Sequence, residues 1–112
     1  MLPLIQRFEY VDEGGRSPFG RWFAGLNEPA AIKISMALNR ASKGNFSHVK
    51  PVGNGVNEVK VDFGPGYRVY FGWDGDKLIV LLGGGTKKRQ QEDIFQARAR
   101  WGDYKRRKRE GV

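Results

Sequence analysis

The chain contains no cysteine and a single histidine, His48. Without cysteine there is no disulfide scaffold, no thiolate zinc site and no thiol nucleophile. One imidazole cannot build a histidine-rich metal centre, so no metal or other cofactor is expected. Long apolar runs are missing as well: the longest, Leu78 to Leu82, is five residues, far short of the roughly 20 that span a bilayer. The opening residues MLPLIQRFEY lack a basic region followed by a long apolar stretch and small cleavage residues, so no secretory leader is expected and the cytoplasm is the expected compartment. Acidic residues are few, twelve against twenty Lys plus Arg. No carboxylate pair has its geometry fixed by the sequence, which leaves a glycosidase without support.

What is present is one domain's worth of chain, 112 residues, with ordinary globular proportions of 39% hydrophobic and 29% charged residues. Aromatics at 12% supply the bulk for a core. The net charge of +8 is the balance of a protein that meets a polyanion, with nucleic acid the first suspect. It is uneven: residues 1–86 carry ten basic and eight acidic side chains, residues 87–112 ten and four. The chain therefore reads as a single domain over 1–112 with a basic C-terminal tail from about residue 102.

Local patterns predict the order strand, helix, helix, three strands, helix. Leu2 to Val11 suits a first strand. Ser17 followed by Pro18 caps a short helix carrying Phe19, Trp22, Phe23 and Leu26 on one face, and these aromatics read as core. Asn27 with Pro29 restarts a second helix, with Ala31, Ile34, Leu38 and Ala41 as its buried stripe and Gly44 as its stop. Beyond His48 the period becomes two: Val59, Val61 and Phe63 alternate with Glu58, Lys60 and Asp62, and Tyr67, Val69 and Phe71 with Arg68 and Tyr70. Leu78 to Leu82 reads as a strand apolar on both faces, ended by Gly83-Gly84-Gly85. From about Lys88 to Arg107, Ile94, Ala97, Trp101 and Tyr104 fall on one helical face, interrupted by Gly102. Antiparallel strands with helices gathered to one face make an α+β fold.

Register turns this order into a candidate site. If Gly64, Pro65 and Gly66 form the loop, Phe63 lies opposite Tyr67, Asp62 opposite Arg68 and Lys60 opposite Tyr70. The row Val59, Val61, Phe63, Val69 and Phe71 then faces the helices, and Glu58, Lys60, Asp62, Arg68 and Tyr70 share an open face. A two-residue loop at Asp74-Gly75 or Gly75-Asp76 sets Val80 and Leu82 with the core row and brings the end of the last strand back alongside Arg68. Lys87, Lys88 and Arg89 follow. The outcome is a cluster of Lys60, Arg68 and Lys88 with Tyr70 beside it. Guanidinium forks bind phosphate and stabilise charge growing on its oxygens, crowded lysines transfer protons, and a tyrosine ring offers a base a stacking surface. The same residues also suit a cross-strand salt-bridge set on a solvated face. Gly83-Gly-Gly-Thr-Lys-Lys lacks the Gly-Lys-Ser/Thr of a phosphate loop and reads as a sharp turn off the strand. His48 in a loop is a bystander or a general base.

The segments Gly44 to Gly53, Gly55 to Phe71 with its Gly-Pro-Gly-Tyr-Arg turn, and Leu81 to Lys88 resemble the phage-related addiction module killer proteins of the RelE/ParE toxin superfamily, close to HigB-type toxins. The resemblance runs from about Ile5 to Arg100. It implies a RelE-like fold of order βααβββα and a type II toxin, usually a metal-independent endoribonuclease that cuts mRNA on the ribosome. It also implies a cognate antitoxin, often a helix-turn-helix protein, as partner. By position, Arg68 corresponds to the arginine that binds the scissile phosphate, Lys88 to the basic residue after the last strand, and Lys60 to the basic position of the preceding hairpin strand. Where RelE-type enzymes carry a tyrosine in the final helix, this sequence has Ile94, which leaves the general base unassigned. Lys87, Arg89, Tyr70, Arg98, Arg100 and the run Lys105 to Arg109 are the expected contacts to RNA. A ParE-like gyrase poison without chemistry and a non-toxic phage-derived nucleic-acid-binding module are the alternatives.

Overall fold

A computed structural model describes residues 5–76 and 78–111. The chain runs through β1 (Gln6–Glu9), α1 (Pro18–Ala24), α2 (Glu28–Ser42), β2 (Val49–Gly53), β3 (Val56–Val61), β4 (Tyr67–Asp74), β5 (Leu78–Thr86), a single 3₁₀ turn (Lys87–Arg89) and α3 (Gln90–Arg109). The strands form one sheet in the order β1-β5-β4-β3-β2, with β1 parallel to β5 and every other pair antiparallel. The α+β class holds. The expected start of the first strand at Leu2 lies outside the described residues. Among the described residues no helix is long and apolar enough to cross a membrane.

Both predicted caps form. Ser17 Oγ accepts from the Gly20 amide at 2.9 Å, and Asn27 Oδ1 accepts from that of Ala30 at 3.0 Å, each satisfying an amide that the helix itself leaves free. The helix starts are therefore local consequences of sequence. They orient α1 against β5 and α2 against β3, where Phe19, Ile34, Leu38, Val59, Val69, Phe71, Ile79 and Leu81 close one core layer.

The third helix departs from expectation. It packs on the opposite side of the sheet, where Ile94, Ala97 and Trp101 bury Val56, Tyr70, Val80 and Leu82. The sheet is thus sandwiched between α1 and α2 on one face and α3 on the other, and the face read as open is covered. Gly102 does not interrupt α3, which runs on to Arg109.

Three further corrections concern the strands. Val49–Gly53 forms a fourth strand after the helices; its Pro51 and Gly53 mask the pattern, and Pro is tolerated because β2 is an edge. The β3–β4 pairing sets Lys60 opposite Arg68 and Val61 opposite Tyr67, two positions away from the expected register. A shift of two leaves every side chain on its expected face. The β4–β5 connection instead closes Asp74 against Leu78, one residue longer than a two-residue loop, and a shift of one exchanges faces. Ile79 and Leu81 therefore join the α1–α2 layer, and Val80 and Leu82 lie under α3.

The three glycines do not end β5, which continues to Thr86. A β-carbon on Gly84 would overlap the Trp22 ring, and one on Gly85 would overlap the Asp93 carboxylate. They are bare so that helices on both faces can sit on the backbone.

Candidate functional site

The α3 face of the sheet grades from apolar to charged. Its first transverse row, Val56, Gly72 and Val80, lies beneath Trp101, whose ring approaches to 2.6 Å of where a Gly72 β-carbon would be. The second row is Lys50, Glu58, Tyr70 and Gly83. The third is Lys60, Arg68 and Gly85, extended at the β2 edge by His48, whose carbonyl accepts from the Lys60 amide at 3.0 Å. Asp93, in the first turn of α3, lies over Gly85.

Glu58 and Arg68 are buried side by side, their side chains 1% and 7% exposed, with Arg68 Nε 3.9 Å from Glu58 Oε1. Lys50 Nζ stands 3.8 Å from the same oxygen, and Gln90 Nε2 donates to Oε2 at 2.9 Å. Three atoms here are sealed from solvent with no hydrogen-bond partner among the described residues: Arg68 Nε, the Tyr70 hydroxyl and Asp93 Oδ2. Each such orphan costs about 1–3 kcal/mol, so a cluster of them is a candidate functional site. Burial pushes the Tyr70 hydroxyl well above its ordinary range, reinforced by the negative charges of Glu58 and Asp93. Burial also raises the Asp93 carboxyl, against the opposing pull of Arg89 and Arg100. A carboxylate held with raised proton affinity beside a guanidinium is equipped to take a proton next to a bound anion.

The residues expected from sequence divide. Arg68 and Lys60 share a row as direct strand partners. Lys60 is half-exposed and 3.6 Å from Asp62. Lys87, Lys88 and Arg89 are exposed on the 3₁₀ turn, which the Lys87 amide ties to the Gly66 carbonyl at 2.7 Å. The same Gly66 would bring a β-carbon within 3.2 Å of Arg68 Nη1, so the turn and the guanidinium border one loop. Tyr70 has no exposed surface and offers no base a stacking face in this structure. Arg98 donates through Nε and Nη2 to the Val52 carbonyl, and Arg100 through Nη1 to that of Leu82 at 3.0 Å, so both brace α3 on the sheet, with Arg100 also acting on Asp93 through its charge. Ile94 is buried in the apolar layer.

Glu58, Gln90 and Asp93 were not singled out from sequence. Alternation puts Glu58 on the face it occupies, but a charge alternating along a strand suits solvent equally well, whereas the side chain is 1% exposed. Asp93 looks like an ordinary acidic residue compensating a helix dipole, and nothing in its neighbours signals that Gly85 lies beneath it.

Residues 21–101 match the family model of the phage-derived Gp49-like proteins (DUF891). An uncharacterized protein of Haemophilus influenzae is 41% identical over 81 residues, covering 71% of this chain and 82% of the relative. The chain belongs to the Gp49-like family. All six members of the polar cluster around the buried Glu58 and Arg68 of this Gp49-like chain, Lys50, Glu58, Arg68, Tyr70, Gln90 and Asp93, lie within the matched span. The last turns of α3, which carry the basic tail, lie beyond it.

Proposed function

We propose that this Gp49-like protein is the toxin of a type II toxin–antitoxin pair, acting as an endoribonuclease on mRNA bound to the ribosome. The observation that carries the reading is the transverse row Lys60–Arg68–Gly85 with Asp93 above it. It sets a guanidinium, an ammonium and a proton-accepting carboxylate along one line beside the exposed Lys87–Arg89 turn. RNA carries its own nucleophile, the ribose 2′-hydroxyl, so the protein must supply a proton acceptor, charge stabilisation and a proton donor. Asp93 takes the 2′-hydroxyl proton as that oxygen bonds to phosphorus. Arg68 and Lys60 hold the non-bridging oxygens as their charge grows. The bond from phosphorus to the 5′ oxygen breaks, and Lys88 gives that oxygen a proton. The products are a 2′,3′-cyclic phosphate and a 5′-hydroxyl. Asp93 thus fills the role that Ile94 cannot. The cognate antitoxin, expected to be a helix-turn-helix protein, would silence the protein by covering this cationic edge.

Primer extension on a reporter mRNA in a translation extract tests the reading. New 5′ ends on translated message, lost with Arg68→Ala and with Asp93→Asn, are the expected result. Intact message at concentrations that arrest growth would refute it and turn attention to DNA gyrase, and intact message without arrest would leave a basic binding module.

A further inference from the structure

The chain's cations differ in how far they are already spent. The C-terminal run, which dominates the net charge in sequence, is largely neutralised within the fold. Arg106 meets Asp103 at 2.7 Å, Glu110 at 3.0 Å and Glu13 at 3.5 Å; Arg107 meets Asp103 at 3.0 Å; Lys108 meets Asp74. By contrast, a concavity of about 230 Å³ on the α2 side is lined by Lys33, Met36, Arg40, His48, Lys60, Val61 and Asp62. Three fixed cations and one carboxylate share that lining. Asp62 is engaged by Lys60 at 3.6 Å, and among the described residues Lys33 and Arg40 have no carboxylate within ion-pair distance.

The lining is set by the fold. Lys33, Met36 and Arg40 recur at three and four residues, so they share one face of α2. The His48 carbonyl to Lys60 amide bond joins the approach to β2 to the end of β3. Lys33 Nζ lies 5.8 Å over the Phe63 ring, which orients its stem over the loop after β3. Lys60 belongs to both places: it lines this concavity and is the strand partner of Arg68. The concavity is smaller than the roughly 300–1,000 Å³ of pockets that enclose a whole ligand, which suits one segment of an extended polyanion.

We infer that this cleft of Lys33, Arg40, His48 and Lys60 is a second phosphate subsite, which grips the backbone of single-stranded RNA next to the phosphodiester held at Arg68. The inference rests on the endoribonuclease reading and extends it from one phosphate to a track. Lys60 is the link between the two subsites, and Asp62 is the negative charge that limits the grip.

Binding of a short unstructured single-stranded RNA, 2′-O-methylated so that it cannot supply the attacking hydroxyl, isolates the track from the chemistry. Lys33→Ala with Arg40→Ala should weaken binding roughly tenfold at about 0.1 M salt and flatten the slope of log affinity against log salt by about 1.4, two lost contacts at ~0.7 each. Asp62→Asn should tighten binding, which no loss of folding can imitate. The charge-matched pair Arg16→Ala with Arg21→Ala, on a different concavity, should leave the slope near that of the wild type. Equal effects of the two pairs would reduce the cleft to general charge and overturn the inference. So would wild-type binding indifferent to Lys33 and Arg40, whether or not antitoxin affinity falls, and so would failure of the wild type to bind. Because cleavage is scored separately in the extract, loss of the track with cleavage intact defeats only this inference. A working track without cleavage defeats only the enzymatic reading.

Discussion

The Asp93 carboxylate rests directly on the backbone of Gly85, so closely that a β-carbon there would overlap Oδ2. Gly85→Ala must therefore lift the first turn of α3 or expel Asp93, at about 1–3 kcal/mol. Gly84→Ala strikes the Trp22 ring on the other face instead. Thermal melts should show both variants destabilised. In the cleavage assay, corrected for folded protein, Gly85→Ala should be the more impaired.

Asp93 should also show the sign of a group held against its own charge. Burial raises its carboxyl, so the folded protein binds that proton more tightly than the unfolded chain. Stability on this account is lowest at neutral pH and recovers as pH falls through the folded value toward the unfolded one near ~4. Asp93→Asn removes the charge and should stabilise the protein at neutral pH by about 1 kcal/mol, with the gap narrowing on acidification. Urea unfolding at several pH values measures it. A variant less stable at every pH would show that the carboxylate holds the fold rather than burdening it.

The far end of α3 behaves oppositely. Asp103 is held below the usual carboxylate range by the Tyr10 hydroxyl and by Arg106, and Asp74 by Lys108 and the Tyr104 hydroxyl. Their stabilisation is complete above the unfolded carboxylate value and is lost as pH falls through the folded values. The partner hydroxyls of Tyr10 and Tyr104 are pushed up to about 12, first by burial and then by these carboxylates. Their share is complete below the unfolded value near ~10 and is lost as pH rises through about 12. Asp74→Asn with Asp103→Asn should flatten both limbs of the stability profile, the acid limb because the lowered carboxyls are gone and the alkaline limb because the folded value of each hydroxyl falls back toward the unfolded one.

Arg68 and Glu58 should prove coupled. Arg68→Ala strips a buried carboxylate of a buried cation 3.9 Å away, leaving Gln90 and the solvent-exposed, and so better screened, Lys50, and should cost about 2 kcal/mol. Adding Glu58→Gln should recover part of that loss. A double-mutant cycle in urea checks it, and simple additivity would mean that the pair does not interact.

How much of this was legible turns on parity and on partners. The helix starts were local, written in Ser17-Pro18 and Asn27 with Pro29, and they formed as read. The β3–β4 faces survived a register error because the error was even, whereas the β4–β5 loop, longer by one, exchanged Ile79 and Leu81 with Val80 and Leu82. Alternation alone brings Lys60, Arg68 and the end of β5 to one face, although Lys60 pairs with Arg68 and not with the expected Tyr70. The burial around Arg68 was not legible, because alternating charge along a strand is what a solvated face also shows. Only the path of α3, a helix mostly polar in sequence, turns Glu58, Arg68 and Tyr70 inward.

The first strand, Gln6–Glu9, lies at the sheet edge beside β5, and its partners are Leu78 to Leu81. Synthesis delivers Gln6 long before Leu78, so β1 has no strand to join until most of the molecule has been made. The pairing joins residues 72 apart in the 112-residue chain, the kind of contact that slows folding. A chain cut short before Leu78 carries Lys60 and Arg68 but neither β5 nor Asp93. The row that joins Arg68 to Gly85, and the carboxylate above it, therefore exist together only once the start of α3 has been made.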